Sequence, residues 1–304
     1  MEKIQLVFLG TGSAIPTLTR NHSAIFLRYR NRNFLIDCGE GTQRQIRKAR
    51  INPCKITDIL ITHFHGDHFF GLPGLLHTLS KNNYSKTLNI YGPRGSGKFF
   101  KKVLEISGTP IRIKFHEVRG KFIENEYFEI FALPLNHDIS CNGYFFKEKS
   151  RRRIKKQKIE KIIRKLRLKG SKEIKKISDL VKGKDVKINN KIFRLEDLTY
   201  LEKGRKISFV FDTKLCKNVY ELSKNSDLAV IEASFLDRDK GLAKKYKHLT
   251  VEEAAKIAKI SKVKKLILTH LSQRYEYEED KLLKIARNIF PKAKIARDFM
   301  EVEV

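Results

Sequence analysis

The stretch Asp58-Ile59-Leu60-Ile61-Thr62-His63-Phe64-His65-Gly66-Asp67-His68 decides how the rest of this chain is read. Asp58 to Ile61 is a short apolar run, which reads as a buried strand. Directly after it, four potential metal ligands fall within six residues. Alternate side chains of an extended segment share a face, so His63 and His65 point together. Gly66 then permits a sharp turn that brings Asp67 and His68 in from another direction. Imidazoles with a carboxylate suit zinc better than magnesium or calcium, which prefer all-oxygen sites. The bland alternative, a polar loop that happens to be rich in histidine, does not account for the strand that leads into it.

Working outward, further short strands alternate with helical segments. Ile4 to Leu9 reads as a strand that breaks at Gly10-Thr11-Gly12-Ser13. Ser23 to Arg30 and Asn33 to Asp37 read as a hairpin, and Thr42 opens an amphipathic helix after Gly39-Glu40-Gly41. Downstream, the strand-like Phe128 to Leu133 precedes His137. Ile207 to Asp212 ends in a carboxylate, Leu228 to Ile231 ends at Glu232, and Lys264 to Thr269 ends at His270. Asp67, Asp212, Glu232 and His270 therefore all sit just past buried strands, where the ends of a central sheet gather them. The alternation predicts an α/β architecture. Val251-Glu252-Glu253 after Thr250 predicts a helix start just beyond His248.

Composition bounds the function. At 304 residues with 41 % hydrophobic content, a globular core is expected. No run of 18 apolar residues occurs and Met1-Glu2-Lys3-Ile4 lacks a signal-peptide layout, so no membrane partner and a cytoplasmic location are expected. Cys38, Cys54, Cys141 and Cys216 show no paired spacing, which predicts reduced thiols. The 64 basic against 34 acidic residues leave a net charge of +30, which favours a polyanionic partner, nucleic acid ahead of an anionic membrane.

That charge is concentrated. Arg151 to Lys176 carries 14 Lys or Arg against only Glu160 and Glu173, a net +12 in 26 residues. Ile159, Ile162, Ile163 and Leu166 give it a narrow apolar helical stripe. The segment reads as an inserted basic arm that grips RNA phosphates, or else as a solvated surface helix. Gly92-Pro93-Arg94-Gly95-Ser96-Gly97-Lys98 imitates a phosphate-binding loop, but Phe99 stands where Ser or Thr must hold magnesium. A strand-to-helix turn is expected there, and no nucleotide cofactor.

The metal motif resembles that of the metallo-β-lactamase superfamily. Gly39-Glu40-Gly41-Thr42-Gln43, the Thr62 to His68 motif, His137 with Gly143-Tyr144, Asp212-Thr213, His248-Leu249-Thr250 and His270-Leu271-Ser272-Gln273-Arg274-Tyr275 narrow it. Together they resemble the short form of the ribonuclease Z family, over essentially the whole chain. The resemblance implies a single metallo-β-lactamase domain over residues 1–304, an αβ/βα sandwich with a protruding basic arm at about 151–176. It implies two zinc ions per chain, one held by His63, His65 and His137 and the other by Asp67, His68 and His270. Asp212 would bridge them. Asp67 would also orient the nucleophile, and His248, steered by Glu232, would act as general acid. The implied reaction is removal of the 3′ trailer from precursor tRNA by a homodimer, with Arg151, Arg152, Arg153, Lys155, Lys156, Arg205 and Lys206 as RNA contacts. The chain departs from the family at Tyr200-Leu201-Glu202-Lys203-Gly204-Arg205-Lys206, where the family's loop often reads Pro-x-Lys-x-Gly-Arg-Lys. The treatment of precursors already bearing CCA therefore stays open. The alternatives are a hydrolase of a small thioester, lactam or cyclic phosphodiester, and a non-catalytic RNA-binding module. His22 is expected in a loop, and His77 and His116 in packing or surface positions.

Overall fold

Short strands with buried faces set the architecture. A computed structural model describes residues 2–165, 185–188 and 191–304. Among these, one seven-stranded sheet runs in the order Glu301–Glu303, Ile4–Gly10, Ala24–Tyr29, Arg32–Ile36, Asp58–Leu60, Leu88–Gly92, Ile113–Glu117. A second runs Ala293–Ile295, Leu266–Thr269, Leu228–Glu232, Lys206–Val210, Cys141–Glu148, Phe128–Leu135, Gly120–Glu124. The expected hairpin closes with Tyr29 opposite Arg32, and Arg30 takes a positive φ of 54° in its turn.

Asp58–Leu60 is apolar at Ile59 and Leu60 because it lies between two parallel neighbours and is covered on both faces. Leu228–Glu232 is likewise flanked in parallel by Lys206–Val210 and Leu266–Thr269. Parallel strands present their carboxyl ends together, which is why the loops after Leu60, Val210, Glu232 and Thr269 meet. Helices Thr42–Lys48, Leu72–Lys81 and Gly97–Ser107 cover the first sheet, burying Ile46, Leu75, Leu76, Leu79 and Phe100 against Leu9, Leu35, Ile59 and Ile90. Helices Lys217–Ser223, Val251–Ile260 and Glu279–Ile289 cover the second through Val219, Leu222, Ala254, Ile257 and Leu282. The remaining faces of the two sheets meet each other, with Phe146 edge-on to Tyr29 and Phe34 at 5.3 and 6.4 Å between ring centres. The layers are thus helix, sheet, sheet, helix, as the fold expectation required.

By contact density the chain divides into two units: Met1–Asn125, Glu129–Phe146 and Lys206–Val304 form the first, and Glu126–Phe128 with Lys147–Arg205 form the second. In the second, Arg151–Ile154 pairs antiparallel with Thr199–Glu202, and helix Lys156–Lys165 follows. Ile159 and Leu198 are buried there among Ile154, Ile162, Ile163, Phe193 and Leu195. The apolar stripe is therefore a small core, while Lys156, Lys158, Lys161, Arg164 and Lys165 are exposed. Leu166 to Lys176 fall outside the described residues.

The phosphate-loop look-alike is a strand-to-helix turn, as expected. The Glu117 carboxylate accepts from Gly95 N at 3.0 Å and Gly97 N at 2.8 Å, at the start of helix Gly97–Ser107. An acidic side chain of the protein itself fills the place a phosphate would take.

Candidate metal centre

The segment after Asp58–Leu60 delivers its ligands in two directions. Thr62 anchors it: its N–H and hydroxyl both donate to Asp37 Oδ1, at 2.7 and 3.0 Å. His63 and His65 leave on the extended part. The one-turn helix Gly66–Phe69 then turns Asp67 and His68 inward. Gly39 lies beneath this turn, where a β-carbon would sit 2.3 Å from Asp67 O and 2.5 Å from His22 Cβ. Gly39→Ala should therefore push the metal loop outward and cost about 1–3 kcal/mol of stability. Urea unfolding checks this, and a variant as stable as wild type would show that the loop has room to spare.

Seven predicted ligands converge. His63, His65, His137 and Asp212 place ligand atoms within 4.8 Å of one another, and so do Asp67, His68, Asp212 and His270. Asp212 belongs to both sets. His63 Nε2 and His137 Nε2 each stand 3.1 Å from His65 Nδ1, and His68 Nε2 stands 3.1 Å from His270 Nε2. Asp212 Oδ2 is 3.5 Å from His63 Nε2 and 3.4 Å from His68 Nε2. Asp212 Oδ1 is buried without a hydrogen bond, although His270 Nε2 is 3.2 Å away. An array of ring nitrogens facing one another around an unpaired carboxylate oxygen is what a divalent cation satisfies.

The electrostatics agree with that chemistry. Burial holds His63, His65 and His137 below the usual imidazole range, which leaves their nitrogens free to donate lone pairs. Burial opposes ionisation of Asp67 and Asp212, but the imidazoles around them, His68 prominent among them, hold both carboxyls well below the usual carboxylate range. His68 goes the other way. Burial lowers it, yet Asp212, Asp67 and Asp37 together push it well above the usual value.

His248 lies beside this cluster on the loop before helix Val251–Ile260. Thr250 caps that helix reciprocally with Glu253, the start expected from the sequence. His248 Nδ1 faces both oxygens of the buried Glu232 carboxylate at 3.1 Å. Burial works against its protonation, but Glu232 and then Asp212 outweigh it, and the imidazole is pushed up to about 9.

Three supporting residues have no metal-motif signature in the sequence. Asp37 Oδ2 accepts from His68 Nδ1 at 2.8 Å, fixing which nitrogen faces inward. Ser234 Oγ donates to Glu232 Oε2 at 2.7 Å and stands 2.9 Å from His270 Nδ1, joining the acid's carboxylate to a ligand. Lys247 O lies 3.3 Å from His137 Nδ1, and its Nζ pairs with Asp138 at 2.8 Å. The one available signal was position, since Asp37 also follows a buried strand. His22, expected in a loop, has Nε2 3.3 Å from Ala14 O. His77 is on helix Leu72–Lys81 and His116 on strand Ile113–Glu117.

The expected RNA contacts divide. Lys156 is exposed. Arg151 and Arg153 both reach Glu202, at 3.0 and 2.9 Å, Arg152 donates to Thr199 Oγ1, and Lys155 donates to Glu196 O. Arg205 is buried, its Nε and a terminal nitrogen 2.8 and 3.1 Å from the Glu148 carboxylate. Lys206 Nζ lies over the Phe145 ring at 4.2 Å and reaches Lys224 O at 3.1 Å. Burial and a two-point carboxylate grip tie Arg205 to Glu148.

Among the described residues, no helix is long and apolar enough to cross a membrane. A family profile described as Anti-Pycsar protein Apyc1 matches residues 4–161. The chain is 36 % identical to a ribonuclease Z from Methanothermobacter thermautotrophicus over 305 aligned residues, 99 % of this chain and 97 % of that one. It is similar to the crystal structure of human tRNase Z, short form, with a TM-score of 0.69, 30 % identity and 98 % of each chain covered. A metallo-β-lactamase fold protein from Bacillus subtilis, YhfI, shares the fold at a TM-score of 0.71 and 19 % identity, with both chains fully covered.

Proposed function

This chain belongs to the ribonuclease Z family, and its residues 4–161 to the family described as Anti-Pycsar protein Apyc1, and on that footing we propose that it is a metal-dependent endoribonuclease that removes the 3′ trailer from precursor tRNA. The observation that carries the reading is Asp212, one carboxylate common to two ligand sets, in a chain aligned end to end with ribonuclease Z. The Apyc1 match contains His63, His65, Asp67, His68 and His137 but stops before Asp212, Glu232, His248 and His270. It therefore speaks for the metal loop and less for the substrate.

His63, His65 and His137 would hold one zinc and Asp67, His68 and His270 the other, with Asp212 common to both sets. Such a metal pair, when bound, stabilises charge on a scissile phosphate and acidifies water. The chain's own groups supply the rest. Asp67 orients the attacking water and accepts its proton. Glu232 fixes the Nδ1 proton of His248, which leaves Nε2 to protonate the leaving ribose 3′-oxygen. Asp37 and Ser234 keep His68 and His270 turned toward the centre. The chain works as a cytoplasmic homodimer, the state the family resemblance implies.

The test is incubation of purified protein with a trailer-bearing tRNA precursor, first with zinc and then with chelator, mapping the cut. Cleavage after the discriminator nucleotide that disappears with chelator is expected, with about two zinc ions per chain by elemental analysis. Protein that takes up no transition metal when zinc is supplied would overturn the reading.

The basic segment is the tRNA grip in this reading. Because Arg151–Ile154 pairs with Thr199–Glu202, deletion would unpair a strand, and substitution is the cleaner test. Replacing Lys156, Lys158, Lys161 and Arg164 with Gln should weaken precursor binding and flatten the slope of log affinity against log salt. The rule of about 0.9 per lost phosphate contact gives about 3.6 if all four touch phosphate. An unchanged slope would leave a solvated helix face.

A further inference from the structure

We propose that Phe70 is a stacking platform for the base of the first trailer nucleotide, the one on the 3′ side of the cut. The inference rests on the tRNA-processing reading and adds a substrate contact to it.

Phe70 ends the one-turn helix that carries Asp67 and His68. Its side chain is 63 % exposed, although its ring belongs to the metal loop itself. A β-carbon added to Gly66 would meet Cε2, Cδ2 and Cζ of that ring at 2.3, 2.6 and 2.9 Å. The ring thus lies directly against the backbone that joins His65 to Asp67. The backbone that carries it is held in place. Phe70 N donates to Gly66 O at 2.9 Å, and Gly71 N donates to Cys38 O at 2.9 Å. Phe69 stands beside it, ring centres 4.9 Å apart, and Phe64 continues the row at 5.0 Å from Phe69. Phe64 is buried and Phe69 half-buried, so the row runs outward from the core and leaves its last member exposed.

Single exposed hydrophobes are ordinary on protein surfaces. Phe70 differs in being a fixed aromatic ring two residues from a proposed ligand. A single-stranded trailer offers unpaired bases to such a ring, and stacking tolerates any base because each has a π-face. The geometry also chooses the side of the cut. His248 protonates the leaving 3′-oxygen, so the discriminator nucleotide lies toward His248. The ring neighbours of His248 are His137, Phe235 and His270, whereas Phe70 belongs to the metal loop, which leaves that ring to the nucleotide that keeps the phosphate.

The experiment uses zinc-loaded protein and a precursor whose leaving 3′-oxygen is replaced by a methylene group, so that binding is read without cleavage. With 2-aminopurine as the first trailer base, wild type should quench its fluorescence on binding. Phe70→Leu keeps the apolar bulk without the π-face. It should restore the fluorescence and raise Kd by about 5- to 100-fold. Phe70→Trp should restore both quenching and affinity, and elemental analysis should show equal zinc in all three proteins. Quenching that survives in Phe70→Leu would overturn the assignment. So would a variant whose only change is a shift from dimer to monomer by sedimentation, which would make the ring a subunit contact. Cleavage of an ordinary precursor by wild type is run alongside. If wild type fails to cut, the function is wrong; if it cuts while the fluorescence is insensitive to Phe70, only the stacking role fails.

Discussion

Asp212→Ala should lower precursor cleavage by more than about 10³-fold, beyond the 10- to 100-fold that loss of a supporting residue around a metal typically costs. The reason is geometric. Asp212 is 2 % exposed and lies in both ligand sets, so one substitution removes a carboxylate from two ions at once. Removing His63 takes an imidazole from one set only. Asp212 is also a buried negative charge: burial opposes its ionisation most, and His270, then His68 and His63, outweigh it and hold the carboxyl well below the usual range. Its loss leaves less to offset the charge of two cations. The expected result is zinc below two per chain by elemental analysis and a cleavage rate lower than that of any single histidine variant. Full zinc content and wild-type turnover in Asp212→Ala would end the bridging assignment.

His248→Ala should reduce turnover by about 10²–10⁴-fold, the usual worth of a positioned general acid, while zinc stays near two per chain. Here the effect falls on the leaving group. His248 touches Glu232 through Nδ1 and lies outside the two four-ligand sets that share Asp212, in a separate group with Glu232 and His270. An aryl phosphodiester, whose leaving group needs little protonation, should lose much less rate than precursor tRNA does. Loss of metal in the variant, or equal rate losses on both substrates, would make His248 a ligand or a structural residue.

Much of this centre was legible in the sequence because strand ends are legible. A buried strand is a short apolar run, and a polar residue just past it is placed by the sheet. That logic reached Asp67, Asp212, Glu232 and His270, and the spacing of His63 and His65 followed from the two-residue period of extended chain. It did not reach what depends on which strand lies beside which. Asp37 follows a strand too, but its partnership with His68 exists only because Arg32–Ile36 pairs with Asp58–Leu60. Backbone conformation was also hidden. Asp37, Asp212 and His270 take positive φ angles of 59°, 27° and 58°, where an L-residue is strained by about 1–3 kcal/mol and glycine would announce the turn. Those positions hold side chains of the candidate metal centre instead, against the local preference. The partner of Arg205 was hidden for a similar reason. Gly-Arg-Lys reads as a basic loop until Glu148 is seen opposite it.

The pairing of Glu301–Glu303 with Ile4–Gly10 sets an order of events during synthesis. Gln5 faces Glu303, Leu6 faces Val302 and Val7 faces Glu301, so strand Ile4–Gly10 is completed by a strand far later in the sequence. A nascent chain still on the ribosome holds Ile4–Gly10 paired on one side only, with the other edge open to any passing strand. It also holds the early ligands from His63 to His137 before Asp212 and His270 exist. An ion caught at that stage would have an incomplete cage. Closure of the sheet and completion of the cage therefore both wait for the carboxyl-terminal part of the chain.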